Sequence, residues 1–103
     1  HGTGTALGDP IEAGSMAGAV LTVRGEGCGS VAVGSVKANS GHAEPAAGLT
    51  GLLAVTLALI SGTAAPNAQL RALNEHVDSA TGGGRCALPT QLAATASVTD
   101  SRR

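Results

Sequence analysis

Apolar positions along this chain change rhythm three times, and each change predicts an element. Asp9 carries the marks of a helix N-cap, with Pro10 at the first helical position and Glu12 three residues after the cap, so a helix is expected from there to about Leu21. Residues 30–36, SVAVGSV, alternate and are β-branched, as in a buried strand. From Pro45 the pattern becomes apolar on most faces, through Leu49, Leu52, Leu53, Val55, Leu57 and Ile60, and it stops at Gly62. That composition predicts a central, covered helix.

Glycine punctuates the rest. Residues 1–8 and 22–30 read as glycine-rich loops, and 63–88 as mixed, with APNAQL and CALP as short strands and TGGG at 81–84 as a turn. From Pro89 the chain is polar and weakly patterned, which separates a motif-bearing core, 1–88, from a tail, 89–103, within one region of 1–103. No internal repeat is present.

The pattern gives two histidines a shared setting. HGTGTALGDPIEAG at the start and SVKANSGHAEPAAG at 35–48 each join a histidine to glycine-rich backbone, with a helix expected a few residues later. Both imidazoles therefore sit at loop-to-helix junctions, where backbone amides are free to meet a ligand. The expected strand delivers Lys37, Asn39 and His42 to the loop beyond its C-terminal end, the edge where α/β sheets usually bind ligands.

Composition narrows the classes. The chain has 103 residues, 16 of them Gly, and no Phe, Tyr or Trp. Its core must be built from Ala, Val, Leu and Ile, while ordering a chain of this length costs on the order of 100–200 kcal/mol of conformational entropy. Independent folding is not expected. A net charge of −1 offers no basic stripe for nucleic acid and no polybasic membrane patch. Without aromatic platforms, single-strand binding is disfavoured as well. The apolar run LLAVTLALI at 52–60 is shorter than a bilayer requires, so no membrane span is expected. There is no secretory signal, and the chain reads as an excerpt of a longer, cytoplasmic or plastid protein.

Other candidates take structural readings. Cys28 and Cys86 form no disulfide framework or zinc pattern and read as free thiols; Cys28 lies in the glycine loop RGEGCGS without the electropositive setting a nucleophile needs. His76 reads as a surface or structural residue, Asp9 and Glu12 as helix caps, and Asn39 as a residue that fixes loop backbone.

Taken at length, the two histidine motifs resemble those of β-ketoacyl synthase domains of modular polyketide synthases. HGTGTALGDPIEAG is similar to the family's first histidine motif and SVKANSGHAEPAAGLTGLL to its lysine-histidine motif and following helix, in the family's order. AAPNAQLRALNEHVD resembles the segment beyond, and the closing SRR stands where the family approaches a glycine-rich loop.

The resemblance implies an α/β fold, a partial thiolase-like fold from the C-terminal half of a layered α/β/α/β/α architecture. It implies decarboxylative Claisen condensation in polyketide or fatty acid synthesis. His1 and His42 match the two catalytic histidines and Lys37 the motif lysine, while Thr3 and Thr5 match positions that contact a phosphopantetheine arm. No metal and no directly bound cofactor are implied; the arm belongs to an acyl carrier protein, the expected partner, which carries the malonyl-type thioester that meets an acyl thioester. The remainder of the ketosynthase domain is the other expected partner, in a homodimeric parent.

The motif that carries the family's nucleophilic cysteine lies upstream of His1, so the isolated chain is expected to be inactive. Two other classes stay open. One is a non-catalytic remnant that binds the carrier protein or its pantetheine arm, and the other a copper site built on the amine and imidazole of His1 with His42.

Overall fold

A computed structural model of the chain describes residues 1–25, 27–81 and 84–95. The described residues form four helices and four very short strands: α1, Gly8–Val23; β1, Val31–Ala32; α2, Lys37–Ser40; α3, Ala47–Ser61; β2, Thr63–Ala64; α4, Glu75–Ala80; β3, Cys86–Ala87; and β4, Ala93–Ala94. A 3-10 turn, Glu44–Ala46, leads into α3. The strands make two separate pairs. β1 lies parallel to β3, with Val31 opposite Cys86, and β2 lies antiparallel to β4, with Thr63 opposite Ala94.

The expected strand over 30–36 is cut short for a local reason. Its ladder runs through Val31 N–H to Arg85 O at 2.9 Å and Val33 N–H to Ala87 O at 2.8 Å. Beyond Val33 the backbone turns to other partners: Asn67 accepts the Ser35 N–H, and Val36 N-caps α2. Lys37 and Asn39 therefore sit on a helical turn rather than in a loop, and only His42 follows it.

α1 begins at Gly8, one residue before the expected cap, and runs two residues past Leu21. Asp9 lies in its first turn and accepts the N–H groups of Gly4 and Thr5 at 3.2 and 3.3 Å, folding the preceding loop back onto the helix. Leu7 holds the N-cap position without a side-chain cap, and Thr5 Oγ1, two residues earlier, accepts the Gly8 N–H at 3.1 Å. At the far end Arg85 donates to the carbonyls of Leu21 and Arg24 at 3.3 and 3.4 Å, where a cation suits the unpaired carbonyls of the last turn.

Two elements are not anticipated by the hydrophobic pattern. α4 packs on α1 and starts at Asn74, whose side chain accepts the His76 N–H at 2.8 Å. β4 lies in the stretch read as polar tail, while the segment read as the strand APNAQL turns, with β2 just ahead of it. CALP does hold β3. Of the TGGG turn, Gly82 and Gly83 lie outside the described residues, as do Glu26 of RGEGCGS and residues 96–103 with the closing SRR.

The buried apolar set among the described residues is small: Ala17, Ala47, Val77 and Cys86. α3, expected to be covered, is bare. Leu49, Leu52, Leu53, Val55, Leu57, Leu59 and Ile60 are 55–78% exposed, because the remaining elements reach only part of its surface. Full burial of an exposed side chain of this kind contributes about 1.5–3 kcal/mol, so for these partly exposed residues roughly 7–14 kcal/mol of stabilisation is unrealised here. The 3-10 turn and α3 together make one continuous helix, Glu44–Ser61, with mean hydropathy 1.5. By length and composition it could cross a membrane, which the nine-residue run considered alone understates; a core helix has the same length and composition.

With so thin a core, the isolated chain should unfold without a cooperative transition and should bind 1-anilinonaphthalene-8-sulfonate through α3. Calorimetry together with dye fluorescence checks this. A single sharp transition with calorimetric and van't Hoff enthalpies in agreement would contradict it.

Candidate functional site

His1, Thr3, Thr5, Lys37 and His42 all line one cleft of about 740 Å³. It opens between the N-terminal loop, the β1–α2 segment, the turn at 67–70 and the facing sides of α1 and α4. Residues 41 positions apart in sequence thus meet: the His1 and His42 rings stand edge to face, with centroids 5.3 Å apart and planes at 81°.

His42 owes its placement to backbone geometry on both sides. Gly41 has φ 79° and ψ 177°, a region that is essentially glycine-only, and it reverses the chain at the end of α2. Immediately after it, His42 Nδ1 accepts the Glu44 N–H at 3.0 Å. A neutral imidazole that accepts at Nδ1 carries its proton on Nε2, so the free edge of the ring is a hydrogen-bond donor.

His1 is held from three sides. Its carbonyl oxygen accepts from the ammonium of Lys37 and, at 3.3 Å, from the hydroxyl of Ser35. The same hydroxyl lies 3.2 Å from Gly2 O. Gly2 has φ 62°, and a Cβ there would sit 2.7 Å from Ser35 Oγ, so a side chain would drive the two segments apart. On its other side the loop is strapped by Glu12, whose Oε2 accepts the Gly2 N–H at 2.7 Å and lies 2.9 Å from the backbone nitrogen of His1. Glu12 is therefore a loop anchor rather than a helix cap.

The Lys37 ammonium reaches across to the first loop and donates to the His1 carbonyl oxygen, because the helical turn of α2 directs the side chain there while Gly41 carries His42 on. Thr3 is exposed at the mouth of the cleft. Thr5 Oγ1 accepts the Gly8 N–H, which leaves its own O–H available to a ligand. Neither Cys28, which is exposed, nor Cys86, which is buried in β3, lines the cleft. Among the described residues no three His, Cys, Asp or Glu side chains gather as a metal site.

The residue that sequence reasoning missed is Asn67. Its buried carboxamide accepts the Ser35 N–H at 3.0 Å and donates to Val33 O at 3.0 Å and Pro89 O at 3.2 Å. Asn39 closes the same junction by donating to Pro66 O and accepting the Ala68 N–H, both at 2.9 Å, the backbone-fixing role its loop setting suggests. Nothing in the local sequence around Asn67 distinguishes it from a turn asparagine.

Comparison with known proteins converges on one family. A family model described as "Beta-ketoacyl synthase, C-terminal domain" matches residues 1–71. A highly reducing polyketide synthase of Dothideomycetidae sp. (strain 11243) is 46% identical over 74 residues, 72% of this chain and 3% of that protein. A phenolphthiocerol/phthiocerol polyketide synthase of Mycobacterium tuberculosis is 43% identical over 91 residues, 88% of this chain and 6% of that protein. An erythronolide synthase of Saccharopolyspora erythraea is 46% identical over 83 residues, 81% of this chain and 2% of that protein. The chain thus spans only a few per cent of the length of these relatives. No solved structure matches it.

One outcome follows from the geometry. Gly41→Ala should cost on the order of 1–3 kcal/mol or shift the loop, lowering the melting temperature of the complete protein and separating the two rings beyond 5.3 Å in its crystal structure. An unchanged ring pair with unchanged melting would refute this.

Proposed function

Since the chain belongs to the β-ketoacyl synthase C-terminal domain family, and so forms part of a thiolase-like α/β fold, we propose that its cleft serves the decarboxylation step of a decarboxylative Claisen condensation. The observation that carries this reading is the pair of imidazoles 5.3 Å apart with the donor edge of His42 left free.

The chemistry asks for what that pair offers. A malonyl-type thioester loses carbon dioxide when its C–C bond breaks and the electron pair moves into the thioester as an enolate, placing negative charge on oxygen. Imidazole N–H donors aimed at that oxygen stabilise the charge as it forms. The enolate carbon then attacks an acyl thioester carbonyl and expels the thiolate that held it. His42 Nε2–H is the natural first donor and His1 the second, with Lys37 holding His1 through its carbonyl.

Because neither cysteine lines the cleft, the thiol that carries the acyl group comes from another part of the parent domain. The malonyl unit arrives on the phosphopantetheine arm of an acyl carrier protein, and Thr3 and Thr5 at the cleft mouth suit its amides and hydroxyl. The uncovered apolar surface of α3 is where the remainder of the domain packs, in a parent that is a homodimer. The polyketide synthases among the relatives favour polyketide assembly over fatty acid synthesis.

In the full-length parent, His42→Ala should lower carbon dioxide release from the malonyl thioester by about 10²–10³-fold, the loss seen when one oxyanion donor is removed. Acyl transfer to the cysteine, which builds no enolate, should persist. Radiolabelled carbon dioxide release and mass spectrometry of the acyl-enzyme measure the two; wild-type carbon dioxide release in the variant would overturn the assignment.

A further inference from the structure

We propose that Ser35, held in place by Asn67, is a positioning residue that sets the spacing of the two imidazoles. The proposal rests on the condensation reading above and adds to it a device that the histidines themselves do not contain.

The cleft is assembled from two separate pieces of chain. His42 belongs to the frame formed by β1, α2 and Gly41, whereas His1 belongs to the loop before α1. Two side chains cross between these frames at His1: the ammonium of Lys37 and the hydroxyl of Ser35, which lies 3.3 Å from His1 O and 3.2 Å from Gly2 O. Lysine is a flexible point charge on a four-carbon stem and tolerates displacement. Serine has one carbon between its hydroxyl oxygen and the backbone, so Ser35 transmits the position of its own backbone to the first loop. Gly2 allows that close approach, since any Cβ there would meet Ser35 Oγ at 2.7 Å.

The backbone of Ser35 is in turn fixed from below. Asn67 Oδ1 accepts the Ser35 N–H at 3.0 Å, and Asn67 Nδ2 donates at 3.0 and 3.2 Å to Val33 O and Pro89 O. Asn67 is 8% exposed and has its oxygen and both amide hydrogens engaged, so an alternative rotamer would leave buried polar groups unpaired. A Cβ on Gly34 would approach Asn67 Oδ1 to 3.2 Å, which shows how closely the carboxamide underlies this stretch of backbone. The path from Asn67 to Ser35 to His1 and Gly2 is thus a continuous chain of polar contacts that begins at a buried, fully paired carboxamide.

Ser35 and Asn67 line the same cleft, and their proposed effect passes through the histidines they position. Misplacement of catalytic groups by about 1 Å can cost on the order of 10²-fold in rate. In the full-length parent synthase, Ser35→Ala should therefore lower kcat for carbon dioxide release by about 10- to 100-fold per folded enzyme. KM for the malonyl thioester and the rate of acyl loading onto the cysteine should stay near wild type. Asn67→Asp, which keeps the acceptor for the Ser35 N–H but loses both donated bonds, should show the same split; if that variant fails to fold, Ser35→Ala decides alone. A merely structural role would lower loading and decarboxylation together, and that result, or full activity in Ser35→Ala, would overturn the proposal. A crystal structure of the Ser35→Ala parent gives a readout independent of turnover: a ring separation unchanged from 5.3 Å refutes the positioning role. Absence of carbon dioxide release from the wild-type parent would instead sink the condensation reading, and the ring separation would still judge Ser35.

Discussion

A buried carboxamide must satisfy its oxygen and both amide hydrogens or leave polar groups stranded away from water, a loss of about 1–3 kcal/mol for each. Asn67 meets that constraint on Val33 O, Pro89 O and Ser35 N, three backbone groups from two different segments. Those bonds end the β1 ladder, start the turn into α2 and bring the stretch after β3 alongside. Ser35 and Lys37 then reach the first loop from a fixed base, and Glu12 holds that loop from the opposite side. Hydrogen bonding, more than apolar packing, places the two imidazoles together.

This division of labour follows from the composition. With no aromatic residue and 16 glycines, the chain has few side chains able to bury large areas. Its longest apolar element, α3, directs most of its leucines outward, and the buried apolar side chains are mainly small. The cleft is therefore precise in its polar contacts while the body beneath it is thin. Such an arrangement suits a piece of a larger α/β domain, whose other layers would supply the missing contacts on α3.

The parts of the site that were legible in the sequence were those encoded in contiguous residues. Gly41 ahead of His42, the glycine loop around His1, the helix that ends at Gly62 and the strand within SVAVGSV all carry local signatures, and each is found at or near its expected place. Asp9 and Glu12 show the limit of that reading. Their spacing matches a capping box, yet both carboxylates serve the preceding loop, because its amides lie within reach once the chain folds back. α4 was obscured by its single turn and a half, and β4 by its two alanines, too short to show a period.

The sequence by itself determined which groups could do chemistry and the local backbone that presents them: two histidines at loop-to-helix junctions, a lysine and two threonines nearby, and the family to which these motifs belong. Only the tertiary structure decided that all five line one cleft, that the Lys37 ammonium meets the His1 carbonyl, and that Asn67 and Ser35 connect the halves. The physical reason is range. Helix signals and glycine conformations act over a few residues, whereas the contacts between Ser35 and Gly2, or Asn67 and Val33, join positions more than thirty residues apart and leave no periodic trace in the chain.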